Sequence, residues 1–386
     1  MVQLREDTAV GETRISLDYK ADMARADALQ KPPKVDSRRN IKAAAEAGLR
    51  AFKLFGDQTR LSFGKGGLTP DEYYYYRLYD KQYSLEKKRQ FVGLRAQRKF
   101  HYRCNDVSWH AMTNDKMNFY SFMQAQGFAV PKVHAVYCEQ IRSFSVATHR
   151  SIKALKDYLV KECPMPCFMK PVEGMYSIGA FDIASIDGKD VHLRNGDIIA
   201  LDEFLDYVGK FAASGYVIQE RMEPHELLAK NFGPTLGCVR ALVLLGEEAR
   251  LASAVFKIPS GQNVADNYWR AGNMLGALDA STGAFRRVVS GIGADLEVHG
   301  KHPVTGVEFS AMELPDWQDV LTLMRGAPKY FAGVKTQSWD IALTTRGPIA
   351  LEMNWGGDLN LHQIAHGEGI LQGEFLEHLK RAGLRF

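Results

Sequence analysis

The residues best equipped for chemistry sit in Ser338-Trp339-Asp340-Ile341-Ala342-Leu343, a turn through Arg346-Gly347-Pro348, and then Ile349-Ala350-Leu351-Glu352-Met353-Asn354. Both runs read as strands, which sets Asp340 and Glu352 on adjacent antiparallel strands, about 5 Å apart. An unpaired carboxylate in an apolar strand is costly unless a cation compensates it. Asn354 points to the face of Glu352, because side chains alternate along a strand. Two carboxylates and an amide oxygen form an all-oxygen set suited to Mg²⁺, which takes few protein ligands and fills its shell from phosphates and water. The histidine and thiolate ligands that zinc prefers are absent from the group. On residues alone a structural carboxylate pair bridged by Arg or Lys stands as the alternative.

Other segments offer cations and polar edges. Cys167-Phe168-Met169-Lys170-Pro171 ends an apolar run on a lysine, and a turn holding Gly174 and Gly179 follows. A strand-end ammonium beside turn N–H groups can face a phosphate, although a solvent-facing lysine is the commoner outcome. Asp115-Lys116 opens a helical segment and supplies a second cation, or simply a first-turn helix pair. Tyr216-Val217-Ile218-Gln219-Glu220 runs into Arg221-Met222-Glu223-Pro224, where Gln219 and the strand edge can hydrogen-bond a purine with Met222 packed on it. By itself that segment says only edge strand and loop.

The elements that must position these residues follow from the surrounding pattern. Residues 1–40 mix charges with small residues, contain Lys31-Pro32-Pro33-Lys34, and read as an arm or linker. Residues 41–105 read as a helical N-terminal region, in which Thr69-Pro70-Asp71-Glu72 supplies a hydroxyl cap, proline at N1 and a carboxylate at N3. Beyond residue 105, β-branched runs alternate with glycine-bearing turns and a few amphipathic helices, an α+β pattern with mostly antiparallel hairpins. Hairpin turns are expected at Asp187-Gly188, Gly246-Glu247-Glu248 and Arg346-Gly347-Pro348.

Composition bounds the rest. At 386 residues, with 46% hydrophobic and 24% charged, the chain is neither disordered nor fibrous and has room for two or three domains. Its 49 Lys and Arg against 45 Asp and Glu give a net charge of +4, too even to argue for nucleic acid. No apolar run approaches the roughly 20 residues of a membrane span, and five scattered cysteines fit a reduced, cytoplasmic compartment. Gly64-Lys65-Gly66-Gly67 lacks the spacing of a Walker loop, and His362 and His366 share a helical face without the His-Glu-x-x-His arrangement. The basic stretch Lys81 to Arg103 reads as a solvated helix face or as a contact for a phosphate-bearing carrier.

Taken in order, these motifs resemble the ATP-grasp superfamily: Asp115-Lys116, Lys170-Pro171, Gln219-Glu220, then Asp340 with Glu352-Met353-Asn354. Cys238-Val239-Arg240, Ala265-Asp266-Asn267, Leu278-Asp279 with Thr282-Gly283, and His302-Pro303-Val304-Thr305-Gly306 resemble its sugar-transfer-associated subgroup, as does Ser338 before Trp339-Asp340. The resemblance covers about residues 106–372. It implies an α+β ATP-grasp fold, two lobes with mainly antiparallel sheets gripping ATP. Residues 106–222 would be the first part with the nucleotide-covering lobe, and 223–386 the second lobe with the metal and substrate site. Lys116 and Lys170 would contact ATP phosphates, Gln219 the adenine beside the backbone of Glu220 and Met222, and Glu226 the ribose. Asp340, Glu352 and Asn354 would bind Mg²⁺. Arg240 and Lys257 would be the catalytic cations near the transferred phosphate, with Asn267 at the substrate end.

Two departures stand out. Met175, Tyr176 and Ser177 make the turn after Lys170 bulkier than a glycine-rich cover, and Ser338 stands where some ATP-grasp ligases carry an arginine. The implied activity is an ADP-forming carboxylate–amine ligase working through an acyl phosphate, in polysaccharide, sugar-conjugate or natural-product biosynthesis. Its partners would be a small-molecule carboxylate and an amine-type nucleophile, free or carrier- or sugar-linked. A phosphotransferase and a non-catalytic nucleotide-binding partner of a glycosyltransferase stand as the alternatives.

Overall fold

The period-two apolar runs pair into two sheets in the computed structural model, which describes residues 13–31, 33–174, 176–259, 266–269 and 272–386. Residues 1–12 and Pro32 of the expected arm, Met175 of the turn and Ala265 lie outside the described residues. The chain divides into two units. One holds the described residues of Met1–Ala26 with Lys132–Arg221; the other holds Asp27–Pro131 and the described residues of Met222–Gly261 and Ala265–Phe386.

The first unit's sheet is built from β1 (Thr13–Arg14), β2 (Val133–Tyr137), β3 (Ala147–His149), β4 (Cys167–Pro171), β5 (Phe181–Ile186), β6 (Asp190–Leu193), β7 (Asp197–Ala200) and β8 (Tyr216–Glu220), in the order β1-β7-β6-β5-β4-β8-β2-β3. Strands β1–β7 and β2–β3 pair in parallel, and the other pairs among the described strands of this sheet are antiparallel. Cys167, Met169, Ile183, Tyr216 and Ile218 pack with Leu155 of helix Ile152–Lys161 and Phe204 and Leu205 of helix Leu201–Gly209. Strand alternation sends Phe168, Lys170, Val217 and Gln219 to the opposite face. Helix Tyr19–Leu29 lies within the segment expected as an arm. Its polar sequence carries no apolar period; Asp22 accepts a 2.7 Å hydrogen bond from the Tyr207 hydroxyl, and the Tyr19 ring meets Phe211 edge-on.

The second unit's sheet is antiparallel throughout. It comprises β9 (Cys238–Leu245), β10 (Ala249–Ile258), β11 (Met274–Leu278), β12 (Phe285–Ser290), β13 (Glu297–His299), β14 (Thr336–Thr344) and β15 (Gly347–Asn354), in the order β13-β12-β11-β10-β9-β14-β15. On one face Trp339 meets Phe119 and Phe331. On the other, Val255, Leu275 and Ala277 join Leu361, Ile364 and Ala365 of helix Leu359–His366 and the tyrosine run Tyr73–Tyr76 in one core. The tyrosines reach it because the expected capping box starts helix Pro70–Tyr75. The N–H of Glu72 donates to Thr69 Oγ1, and the N–H groups of Thr69 and Leu94 donate to the Glu72 carboxylate.

Two features of the helical region follow from packing. Lys88, within the basic stretch, is buried in a 2.6 Å ion pair with Asp57, beside the Tyr73 hydroxyl. The glycines of Gly64–Gly67 serve close approach, since a Cβ on Gly66 would lie 1.9 Å from the Phe91 carbonyl oxygen. Among the described residues no helix is long and apolar enough to cross a membrane, and the five cysteines are free thiols.

Candidate functional site

Two β-bulges assemble the charged cluster of the second unit. From the turn, β14 and β15 pair Thr344 with Gly347 and Ile341 with Ala350, a register that would set Asp340 opposite Leu351. One extra residue at Leu351 shifts the ladder, so that Asp340 faces Glu352 and Ser338 faces Asn354. A second irregularity, between Leu251 and Ser253, brings Val255 opposite Arg240 and Lys257 opposite Cys238. A one-residue slip moves a strand's side chains to the other face. Without these bulges Glu352 and Lys257 would point away from Arg240 and Asp340. With them, Arg240, Asp340 and Glu352 form one row across β9, β14 and β15, and Lys257 emerges on the same face.

The contacts within the row are those of a compensated cluster. Arg240 Nε donates to Asp340 Oδ1 at 2.5 Å and Nη2 donates to Oδ2 at 2.9 Å, a bidentate pair. Nη1 reaches Ser338 Oγ at 3.4 Å. Lys257 Nζ lies 3.3 Å from Asp340 Oδ2 and 3.3 Å from Asp266 Oδ1. Burial pushes the Asp340 carboxyl up, but Arg240 and Lys257 outweigh it and hold it well below the usual carboxylate range. Burial likewise works against the Lys257 ammonium, and Asp266 and Asp340 more than offset it. Asp266 shares its lysine and has an unpartnered Oδ2, so burial prevails and its carboxyl rises. Asp340 is thus held in its ionised form. The bridged-carboxylate alternative therefore describes Asp340 in this structure.

Glu352 has a different setting. Its side chain keeps 27% exposure, Lys116 Nζ lies 3.8 Å from Oε2, and Asn354 Nδ2 donates to Oε1 at 3.3 Å. Lys116 is placed by helix Lys116–Ala125, whose N-cap Asp115 accepts from the Asn118 N–H at 2.9 Å. The chain beyond Asn354 turns tightly, because a Cβ on Gly357 would fall 2.1 Å from Ser338 Cβ. Gln97 Nε2 and His101 Nε2 both donate to the Gly357 carbonyl, at 2.7 and 2.9 Å. Asp358 then caps helix Leu359–His366 by accepting from the Asn360 N–H.

Burial lowers the His101 imidazole to about 4 from an ordinary 6.5, so it is neutral in the folded chain. Because the unfolded imidazole takes a proton first, the stability this group contributes is whole above about pH 6.5 and falls as pH drops toward 4. That term is worth up to roughly 3 kcal/mol. His101→Gln, which keeps a donor for Gly357, is expected to flatten the fall measured by urea unfolding at about pH 7 and about pH 4.5. An unchanged slope would remove His101 from this account.

The remaining expected residues are distributed as follows. Met222 is buried and Glu226 is exposed at the start of helix Glu226–Phe232. Asn267 Oδ1 accepts from the Trp269 N–H at 3.1 Å, closing a local turn. In the first unit Lys170 stands opposite Val217 and Gln219 opposite Phe168, on one face; Gln219 is buried. Glu220 Oε1 accepts from the Lys132 N–H at 2.8 Å. Tyr176 and Ser177, in the turn after Lys170, take left-handed φ of 59° and 55° although neither is glycine. His362 Nδ1 and His366 Nε2 approach Ser253 Oγ at 2.8 and 3.4 Å. Among the described residues no three His, Cys, Asp or Glu side chains gather as a metal cage. Asp266, His101 and Gln97 were given no site role by the sequence. Asp266 stood in a subgroup mark, whereas His101 and Gln97 carry no signal beyond being polar on an amphipathic helix.

The sequence profile of sugar-transfer associated ATP-grasp proteins matches residues 95–380. The chain belongs to that family. The match extends past both ends of the motif series read from the sequence, taking in the helix that carries Gln97 and His101. No curated protein matches the sequence. Solved structures similar to this ATP-grasp chain include an L-amino acid ligase from Bacillus licheniformis, with 13% identity, 70% of this chain and 48% of that one covered, and a TM-score of 0.39. Another is the ATP-grasp ligase PsnB complexed with minimal precursor, with 13% identity, coverage of 73% and 63%, and a TM-score of 0.36. A third is the ADP complex of purK, N5-carboxyaminoimidazole ribonucleotide synthetase, with 11% identity, coverage of 64% and 46%, and a TM-score of 0.35. The chain spans about half the length of the first of these.

Proposed function

We propose that this ATP-grasp chain is an ADP-forming ligase that activates a carboxylate as an acyl phosphate and joins it to an amine. The row Arg240–Asp340–Glu352 with Lys257 beside it carries the reading. Phosphoryl transfer asks little covalent chemistry of a protein and much charge placement, and this face offers two buried cations next to a carboxylate pair. Arg240 and Lys257 supply the positive charge that the serine at position 338 cannot, and their counter-ion Asp340 keeps them in place. In the first unit we assign Lys170 to ATP phosphate and Gln219, with Glu220, to adenine. In the second we assign Lys116 to phosphate, Met222 and Glu226 to the nucleoside, and Asn267 to the substrate end.

The oxygen donors fit Mg²⁺. Glu352 is open enough to meet a hydrated ion and Asn354 adds an amide, while Asp340, directly across the ladder, would reach the ion with oxygens that Arg240 and Lys257 also bind. Such an ion, held by Asp340, Glu352 and Asn354, would neutralise charge on the phosphates. The residues' own part is to hold the γ-phosphate between Arg240 and Lys257 while the substrate carboxylate attacks phosphorus. An amine then attacks the acyl carbon and phosphate leaves, taking one carboxylate oxygen with it. Purified protein with ATP, Mg²⁺ and pools of ¹⁸O-labelled carboxylates and amines should therefore yield ADP, a condensed product and singly labelled phosphate by mass spectrometry. A persistent phosphorylated acceptor would make the protein a kinase, and nucleotide binding without ADP release would make it a non-catalytic partner.

A further inference from the structure

Helix Ala51–Ser62 of the second unit has an outer face that the proposed chemistry does not use. It turns Asp57 and Leu61 inward, where both are buried. With about 100° between successive residues, Phe52, Phe55 and Thr59 fall on the opposite side, and Phe63 at the C-cap continues their stripe. The three rings are 90%, 70% and 89% exposed. One exposed phenylalanine needs no explanation; three on one ridge mark an interaction surface. Arg50, Lys53 and Arg60 are exposed around them. Arg95 Nη2 donates to the Ser62 carbonyl at 3.2 Å, which joins the end of this helix to helix Leu94–Cys104 with its exposed Arg95, Arg98, Lys99 and Tyr102.

The charge is as uneven as the apolar surface. Residues 38–103 hold 16 Lys and Arg against 6 Asp and Glu, whereas the whole chain holds 49 against 45. The rest of the molecule is therefore net acidic, and the near-neutral total conceals a strongly basic helical region.

We propose that this face docks on an anionic lipid bilayer surface. Phe52, Phe55 and Phe63 would enter the boundary between headgroups and acyl chains, while Arg50, Lys53 and Arg60 pair with lipid phosphates. A basic helix crowned with aromatic rings matches that boundary in both charge and polarity. A second copy of this chain would set one basic face against another. A nucleic acid would satisfy the charge but takes a groove that tracks its backbone, with bases stacked on the groove's rings, rather than a ridge. Docking of this kind is reversible and salt-sensitive.

The test is co-sedimentation of the full chain with vesicles of phosphatidylcholine alone or mixed with phosphatidylglycerol. The expected result is partition onto the mixed vesicles only, weakened by salt. The variant Phe52→Ser/Phe55→Ser/Phe63→Ser should bind at least about tenfold less tightly. Lys53→Glu/Arg60→Glu, at exposed positions the fold does not need, should abolish the preference for the anionic lipid. Absence of partition onto either vesicle, or partition unchanged in both variants, would overturn the proposal. So would a single-stranded oligonucleotide that binds through the same rings while vesicles do not. None of these readouts depends on the ligase assignment.

Discussion

Replacing Asp340 by alanine should cost the second unit about 3–5 kcal/mol of stability, in addition to ending turnover. The reason lies in what the substitution leaves behind. Arg240 is nearly buried with its fork closed on Asp340, and Lys257 divides its ammonium between Asp340 and Asp266. Without Asp340, two buried cations would share one acid whose carboxyl burial already drives toward the neutral form. A carboxylate kept only to bind metal would behave oppositely, since removing one of two neighbouring acids relieves repulsion. The sign with pH follows. Because Asp340 is held below its ordinary value, its contribution is present above the unfolded carboxylate range, near 4, and is lost as pH falls through the lower folded value. Asp340→Asn should therefore unfold at lower urea than the native chain near neutral pH, with the gap closing in acid. If Asp340→Asn is as stable as the native chain, the counter-ion role is wrong.

How much of this was legible in the sequence depends on what fixes each feature. The hairpin β14–β15 was readable, because two apolar β-branched runs flank a turn with Gly347 and Pro348. The capping box at Thr69 was readable because its partners are three residues apart. The neighbourhood of Asp340 and Glu352 was also anticipated, yet counting back from the turn in a regular ladder puts Glu352 on the wrong face. The bulge at Leu351 corrects it, and the irregularity between Leu251 and Ser253 does the same for Lys257. A bulge leaves no compositional mark when the extra residue is leucine or alanine, so this part of the site exists only in three dimensions. The ion pairs were out of reach for a related reason. Arg240 and Asp340 are a hundred positions apart, and nothing local says that the metal-type acid is first a counter-ion. The same holds for Asp57 and Lys88, which composition would place in solvent. Helix Tyr19–Leu29 escaped because one hydroxyl–carboxylate bond and one ring contact hold it, in place of an apolar stripe.

Glu352→Gln should give the converse of the Asp340 result, a large kinetic loss with little change in stability. Glu352 is partly exposed and stands 3.8 Å from the buried Lys116, beyond hydrogen-bond length, so the loss of stability is expected to be smaller than that of Asp340→Ala. Glutamine keeps the size and one oxygen, and Asn354 can still donate to it. What it removes is the negative charge that the proposed Mg²⁺ would need, so on that assignment ADP formation at saturating ATP should fall by roughly a hundred- to a thousandfold. The two acids thus separate by experiment even though they face each other across one ladder. Asp340 is tied to the fold through Arg240 and Lys257, whereas the proposed function ties Glu352 to the chemistry through its open side. The informative measurement is the pair of urea midpoint and ADP release rate for Glu352→Gln, taken in the same buffer with Mg²⁺. Turnover within a few-fold of the native rate would take Glu352 out of the metal set. A fall in stability as large as that of Asp340→Ala would instead mean that Lys116 depends on Glu352 as a buried partner, and that this acid too belongs to the framework.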